Sequence, residues 1–235
     1  MLVATLALII WPIANRLDPV PLLFAPPGAT SIAEPSTGSN AWPQSRNGSR
    51  NTGYTSAEAP LPDKVRWTYT SPEPLINSPS VVDGRVYLAM EDDRTIALDV
   101  KSGNVLWEYQ SRWPSSSTPA VTGDTVISAV RPGIVVALDR FTGNLQWENI
   151  TGSPILSSPV IADGTVYIGS ADSSLHALDV ATGKTRWVFP TGSWVVEGPA
   201  YADGTLTVAS LDSDLYIIGD RTARRQLIYD TGRGR

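Results

Sequence analysis

Short runs of β-forming residues, each bounded by turn residues, recur along this chain with a period of 40 residues. The period is clearest in four tryptophans that occupy the same place in successive repeats: Trp67, Trp107, Trp147 and Trp187. A repeat of this length that holds several short strands is typical of a β-propeller blade. Helical repeats would need apolar residues at helical spacing, and the repeats do not have that pattern.

Each repeat is predicted to form a four-stranded antiparallel blade. In the first repeat, strands A to D are predicted at residues 78–82, 85–90, 95–100 and 105–109, and the later repeats follow at intervals of 40 residues. The turn Asp83-Gly84 contains residues that tolerate the positive φ of a tight hairpin. The predicted fold class is therefore an all-β propeller, with about four blades present.

Three residue types recur at fixed places around the turn from strand C to strand D, and we predict that they are structural. They are the aspartates Asp99, Asp139 and Asp179, the glycines Gly103, Gly143 and Gly183, and the tryptophans named above. The aspartates could ligate calcium, but their place before a turn favours caps on backbone amides. A single sheet cannot bury the indoles, which each hide about 150–250 Å², so each tryptophan is expected to dock on the neighbouring blade.

The motif Ala-x-Asp-x-x-x-Gly-x-x-x-Trp occurs at residues 97–107, 137–147 and 177–187. It resembles the tryptophan-docking motif of the quinoprotein, or pyrroloquinoline quinone (PQQ)-like, propeller family, over residues 63 to about 231. The lead-in from Trp42 to Tyr54 is similar to the segment before the first blade in bacterial members. The resemblance implies a ring that usually closes with seven or eight blades. It leaves function open, because these blades occur in dehydrogenases and in non-catalytic scaffolds.

The blade count predicts an incomplete ring. Residues 65–70 are predicted as a D-type strand without its own A, B and C strands, and only four A-B-C sets follow. In the fourth repeat the motif positions hold Ile217, Gly219, Ala223 and Leu227, so its last strand is expected to be degenerate, frayed or capped. The alternative is a closed four-bladed ring with residues 65–70 as its latch.

The chain is predicted to contain three regions. Residues 1–25 begin with a continuously apolar stretch and are interpreted as a signal peptide or membrane anchor. Residues 26–62 are rich in Pro, Ser, Gly and Asn and are interpreted as a linker, and residues 63–235 contain the repeats. The protein is therefore expected to be exported, periplasmic or extracellular, and tethered to the membrane through its N-terminus.

Composition excludes several classes of function. The net charge of -5 argues against a nucleic-acid partner, because there is no basic surface to neutralise phosphates. The chain has no cysteine, which excludes disulfides, cysteine-ligated metals and cysteine nucleophiles. The same absence excludes a lipid anchor on cysteine and the vicinal cysteine pair found in catalytic quinoproteins.

Two groups of polar residues are candidates for chemistry. His176 is the only histidine, and its equivalents Ile96, Val136 and Tyr216 indicate a packing position on strand C. The acidic run at residues 91–93, with Asp212 and Asp214 in the fourth repeat, could bind calcium but has no EF-hand spacing. We therefore predict no catalytic residue, no metal ligand and no cofactor.

The connections from D to A and from B to C vary between repeats and should lie on one face of the disc, where specificity can be encoded. The candidate partner-binding residues on this face are Arg112, Trp113, Arg131 and Trp194. The two tryptophans could instead plug the disc or fill space between blades. The predicted function is a non-catalytic scaffold that binds a protein partner. The alternatives are part of a PQQ- and calcium-dependent dehydrogenase, or a sensory or carbohydrate-binding propeller.

Overall fold

The computed structural model describes Gln44, residues 65–115 and 117–221, and the backbone of residues 225–230. All of these residues fall within one unit of the chain, whose bounds are residues 37–235. The described part of this unit contains sixteen β-strands arranged in four separate four-stranded sheets. None of the described residues belongs to a helix of the length and apolar character needed to cross a membrane.

The sheets follow one another along the chain, and each is an antiparallel meander. Sheet 1 contains β1 (Ser80–Val82), β2 (Arg85–Ala89), β3 (Arg94–Asp99) and β4 (Val105–Gln110). Sheet 2 contains β5 (Ala120–Thr122), β6 (Thr125–Val130), β7 (Ile134–Asp139) and β8 (Leu145–Ile150). Sheet 3 contains β9 (Val160–Ala162), β10 (Thr165–Ser170), β11 (Ser174–Asp179) and β12 (Thr185–Pro190). Sheet 4 contains β13 (Ala200–Ala202), β14 (Thr205–Ala209), β15 (Asp214–Gly219) and β16 (Arg225–Asp230).

The register of the third and fourth strands is the same in all four sheets. In sheet 1, Ala97 pairs with Trp107 and Leu98 pairs with Val105, so one residue of β4 bulges out. The same register shift recurs in the other three sheets. Positive φ at Asp83 and Gly84 closes the first hairpin of sheet 1. The repeated sequence therefore specifies a repeated backbone.

An apolar core lies between each pair of consecutive sheets. Between sheets 1 and 2, Tyr87 and Trp107 pack against Val126 and Leu138. Two further cores join sheet 2 to sheet 3 and sheet 3 to sheet 4 in the same way. The first strands of consecutive sheets also contact one another. Each sheet is therefore stabilised mainly by its neighbours, as expected for a repeat protein.

The predicted all-β propeller fold is confirmed, with four blades of a partial propeller in the described residues. One finer prediction is wrong: residues 65–70 form no strand, because a strand needs a backbone partner and none of the described sheets pairs with them. Of the alternatives for the last strand of sheet 4, fraying is not seen. β16 pairs with β15 in the standard register, because backbone hydrogen bonds do not require the motif side chains.

The alternative of a closed four-bladed ring requires residues 65–70 to form the outer strand of sheet 4. Sheet 4 instead has its own outer strand, β16, in that place. The regions assigned to residues 1–25 and 26–62 lie outside the described residues, except for Gln44. The side chain of Gln44 is buried, and its Oε1 accepts a hydrogen bond of 2.9 Å from the backbone N–H of Ile161 in β9.

Candidate functional site

Each of the four repeated tryptophans contacts the sheet that follows it along the chain, which for Trp67 is sheet 1. Each indole N–H donates to a backbone carbonyl 33 residues later, at Val100 (3.0 Å), Arg140 (2.8 Å), Val180 (3.0 Å) and Asp220 (2.7 Å). An indole N–H that is taken out of water needs such an acceptor. The bond fixes where each ring lies on its neighbour.

The repeated glycines lie directly beneath these rings. A Cβ added at Gly143 would lie 2.7 Å from Cε3 of Trp107, and one at Gly183 would lie 2.4 Å from Cε3 of Trp147. The φ angles of the two glycines are +75° and +70°. Glycine is therefore required here both for backbone conformation and for the close approach of the indole.

The repeated aspartates hold the turn between the third and fourth strands. In sheet 2, Oδ1 of Asp139 accepts hydrogen bonds from the N–H of Phe141 (3.0 Å), and from the N–H (2.8 Å) and hydroxyl (2.9 Å) of Thr142. Asp99 and Asp179 make the equivalent bonds. The hydroxyl and amide of Thr142 lower the pKa of Asp139, and the Arg186 guanidinium, followed by Thr182, lowers the pKa of Asp179 to about 2.

His176 lies on the third strand of sheet 3 with its side chain turned to a carboxylate. It is 6% exposed, and its Nε2 lies 2.7 Å from Oδ2 of Asp172. In sheet 4 the equivalent pair is Tyr216 and Asp212, whose hydroxyl and Oδ2 are 2.6 Å apart. Sequence reasoning missed this pairing, although the acidic residue stands four positions earlier in both repeats. The pair ties the second-to-third-strand connection to its own sheet.

Three of the acidic candidates for calcium binding, Glu91, Asp92 and Asp212, are engaged in other interactions. Glu91 pairs with Arg131 at 3.1 Å, and Asp92 bonds to Arg94, whose pKa it raises. Oδ2 of Asp212 also accepts a hydrogen bond of 2.6 Å from the N–H of Gly192. Across the described residues, no three His, Cys, Asp or Glu side chains are grouped so that they could hold a metal ion.

We call the surface formed by the fourth-to-first-strand and second-to-third-strand connections the loop face. These connections are joined in pairs by backbone hydrogen bonds from Arg131 N to Pro114 O (2.9 Å), Ala171 N to Pro154 O (2.9 Å) and Leu211 N to Trp194 O (3.0 Å). Each pair brings the connection entering a sheet against the hairpin of that same sheet. The loop face is thus a row of similar junctions.

The four candidate partner-binding residues fall in two of these junctions. Arg112, Trp113 and Arg131 belong to the junction of sheet 2, whereas Trp194 belongs to the junction of sheet 4. Trp113 is 48% exposed and Trp194 is 49% exposed. Arg131 is exposed but paired with Glu91. Sequence reasoning missed Leu211, an exposed residue whose backbone bonds to Trp194; its departure from Glu91, Arg131 and Ala171 in the other repeats was the available signal.

The opposite surface, which we call the turn face, is built from the first-to-second-strand and third-to-fourth-strand turns. Its polar side chains bridge neighbouring sheets. Arg140 pairs with Asp83 at 3.0 Å, and the Tyr201 hydroxyl lies 2.5 Å from Asp163 and 3.0 Å from Asp220. These turn-face side chains therefore help to hold neighbouring blades together.

Four-stranded sheets joined by docked tryptophans over glycine turns define a PQQ-like β-propeller. Residues 49–155 and 149–233 match the family model described as outer membrane protein assembly factor BamB, and the chain belongs to this family. No curated protein sequence gives a significant match to the chain.

Solved structures show the same fold. BamB from Moraxella catarrhalis superposes with a TM-score of 0.66 at 24% identity, over 71% of this chain and 56% of that one. A quinohemoprotein alcohol dehydrogenase from Pseudomonas putida gives 0.69 at 18% identity, over 81% of this chain and 40% of that one. The enzyme of the same class from Comamonas testosteroni gives 0.69 at 17% identity, over 81% and 41%. The chain thus spans about half the length of these proteins or less.

Proposed function

We propose that the protein is a non-catalytic, exported propeller that binds a protein partner through its loop face. The observation that carries the proposal is the half exposure of Trp113 and Trp194 on connections that the repeat does not constrain. Tryptophan and arginine are enriched among residues that dominate binding energy at protein interfaces. On the turn face, by contrast, the repeated aspartates form hydrogen bonds within the propeller.

The side chains present support a scaffold more than a quinoprotein active centre. Calcium at such a centre prefers several oxygen ligands, and the loop-face carboxylates of Asp92, Glu91 and Asp212 are instead paired with Arg94, Arg131 and a backbone amide. The described residues therefore do not fit a PQQ and calcium site, and we derive no catalytic step.

Export and membrane tethering form the second part of the proposal. The first thirteen residues are apolar throughout apart from one proline and one threonine, which is the composition of a signal or anchor segment. The absence of cysteine leaves this apolar segment as the candidate anchor. Protease protection and membrane fractionation of a bacterium expressing the chain would test it, because a cytoplasmic soluble product would contradict export.

Site-specific photo-crosslinking tests the binding face. A photoreactive phenylalanine analogue placed at Trp113 or Trp194 is expected to give discrete crosslinked proteins in cells that express the chain. Phe141, which is 46% exposed on the turn face, is the matched control position and should give none. Equal crosslinking from both faces, or none from the loop face, would refute the proposal.

A quinone-dependent dehydrogenase is the rival function, and the shared fold with two quinohemoprotein alcohol dehydrogenases is the observation that favours it. Incubation with PQQ and calcium, followed by desalting and absorbance measurement, separates the two functions. Stoichiometric retention of the chromophore would contradict the non-catalytic proposal.

A further inference from the structure

Sheet 4 departs from the other repeats at three positions of its loop-face junction. Trp194 replaces a proline found at Pro74, Pro114 and Pro154. Glu197 replaces Asn77, Ser117 and Ser157, and Leu211 replaces Glu91, Arg131 and Ala171. All three replacements fall in one junction, because the backbones of Trp194 and Leu211 are hydrogen-bonded to each other.

The residues replaced by Glu197 have a structural role that a carboxylate cannot fill. Oγ of Ser157 accepts a hydrogen bond of 2.8 Å from the N–H of Gly169 and donates one of 2.9 Å to its carbonyl. Asn77 donates to the carbonyls of Ala89 and Ser115. An ionised carboxylate only accepts hydrogen bonds, and the Glu197 side chain is exposed. At this position the fourth repeat therefore lacks the hydrogen-bond donor that Asn77 and Ser157 provide in their repeats.

The exposed apolar pair lies on a rigid backbone. Trp194 is 49% exposed and Leu211 is 59% exposed, whereas the adjacent Val195 is fully buried. Val195 packs so closely on Gly169 that a Cβ there would lie 2.3 Å from its Cγ1. Ser210 also donates a hydrogen bond of 2.9 Å to the carbonyl of Ser193. A surface held in place before binding loses little conformational entropy when a partner arrives.

The charged residues in the two connections that form this junction are acidic. They are Glu197 and Asp212, and Asp214 follows at the start of β15. Burial alone would raise the pKa of Asp212, but hydrogen bonds from Tyr216, Asp214 and Gly192 outweigh it and lower the pKa. The rim of the apolar pair is therefore negatively charged at neutral pH.

We propose that the junction of sheet 4, formed by Trp194, Leu211, Glu197 and Asp214, docks a partner segment in which aliphatic side chains alternate with lysine or arginine. The aliphatic groups pack on the exposed indole and Leu211, and the basic groups meet the acidic rim. This inference rests on the proposed function, since it names the chemistry of the partner at the loop face. Complementary charge favours this class of segment over acidic or purely polar ones.

Fluorescence anisotropy with labelled peptides tests the inference on the full 235-residue chain. The probe is a short peptide of alternating leucine and lysine, compared with leucine-glutamate and serine-lysine peptides of the same length. We expect the leucine-lysine peptide to bind at least about tenfold more tightly than either reference, because loss of a central anchor typically costs that much. Comparable binding of the serine-lysine peptide would overturn the inference, because it would show charge attraction alone.

Variants locate the binding. Trp194→Ala with Leu211→Ala should weaken leucine-lysine binding about tenfold, and Phe141→Ala on the turn face should leave it unchanged. Glu197→Gln with Asp214→Asn should weaken it about threefold and reduce its salt dependence. The outcome for Trp113→Ala separates the two proposals. If binding depends on Trp113 and not on Trp194, the inference fails while the loop-face proposal stands. If it depends on neither, the inference fails, and the crosslinking experiment alone decides the loop-face proposal.

Discussion

Replacing Gly143 with alanine adds one carbon atom to the contact between the Trp107 ring and the turn of sheet 2. The new Cβ would lie 2.7 Å from Cε3 and 2.9 Å from Cδ2 of Trp107, closer than carbon atoms pack. It would also force alanine to adopt a φ of +75°. Either the turn or the indole must move, and the indole also holds the hydrogen bond of 2.8 Å to Arg140.

The cost can be estimated from its parts. A left-handed backbone at alanine costs about 1–2 kcal/mol. Loss of the indole hydrogen bond adds about 1 kcal/mol, and partial undocking of a ring that buries about 150–250 Å² adds about 1–3 kcal/mol at about 25 cal/mol per Å². We therefore expect Gly143→Ala to lower the free energy of unfolding by about 3–6 kcal/mol, a large share of the stability of a typical domain.

Gly123→Ala is the matched control. Gly123 also has positive φ, at +49°, but an added Cβ would have no atom within 4 Å. Its cost should be limited to the backbone term of about 1–2 kcal/mol. Urea unfolding followed by tryptophan fluorescence and by circular dichroism measures both variants and checks that the two transitions coincide. Equal destabilisation by the two substitutions would show that the indole does not dock on Gly143 as described.

Three further changes should have measurable and graded effects. Ser157→Ala should lower the free energy of unfolding by about 1–3 kcal/mol, because it leaves the buried N–H of Gly169 without its hydrogen bond of 2.8 Å. Urea unfolding measures this loss, with Ser117→Ala as the control, since the N–H of Ala129 is 3.3 Å from Oγ of Ser117. A loss no larger than that of the control would contradict the prediction. The pKa of Asp179 is lowered from 3.8 to about 2, so its contribution to stability is present above about pH 4 and is lost as the pH falls toward 2. The difference in melting temperature between the wild type and Asp179→Asn should therefore shrink over that range, and a constant difference would be inconsistent with the shift; the effect should stay below about 1 kcal/mol, since the pair with Arg186 is partly exposed. Gln44→Ala should cost about 1–3 kcal/mol by leaving the amide of Ile161 unpaired, whereas no change in urea midpoint would show that this contact does not support the propeller.

Sequence reasoning predicted the strands well because their causes are local. The sequence predicts strands at residues 85–90 and 105–109, and the structure has them at Arg85–Ala89 and Val105–Gln110. The turn glycines and the alternation of side chains set these bounds without reference to distant residues. The same reasoning failed for residues 65–70, since strand formation there depends on whether another sheet offers an edge.

The side-chain partners could not be predicted in the same way. The bond from Gln44 to Ile161 spans 117 residues, and no local pattern marks either end. The pairing of His176 with Asp172 depends on the hairpin that folds the two side chains together. The backbone contact of Leu211 with Trp194 joins two different connections of the chain. These features arise from tertiary packing, whereas the sequence repeat specifies only the scaffold that carries them.

The two faces differ in the kind of contact that holds them together. The tryptophan docks, the aspartate caps and the bridges such as Arg140 with Asp83 all lie toward the outer strand or the turn face. A substitution at a tryptophan dock or a bridge affects two sheets at once, because these contacts cross a blade boundary, whereas an aspartate cap holds the turn of its own sheet. On the loop face, backbone hydrogen bonds join the two connections of each junction, and these bonds do not depend on which side chain projects outward. Side chains such as Trp194 can therefore change from repeat to repeat without loss of the fold, and for this physical reason partner recognition is expected on the loop face.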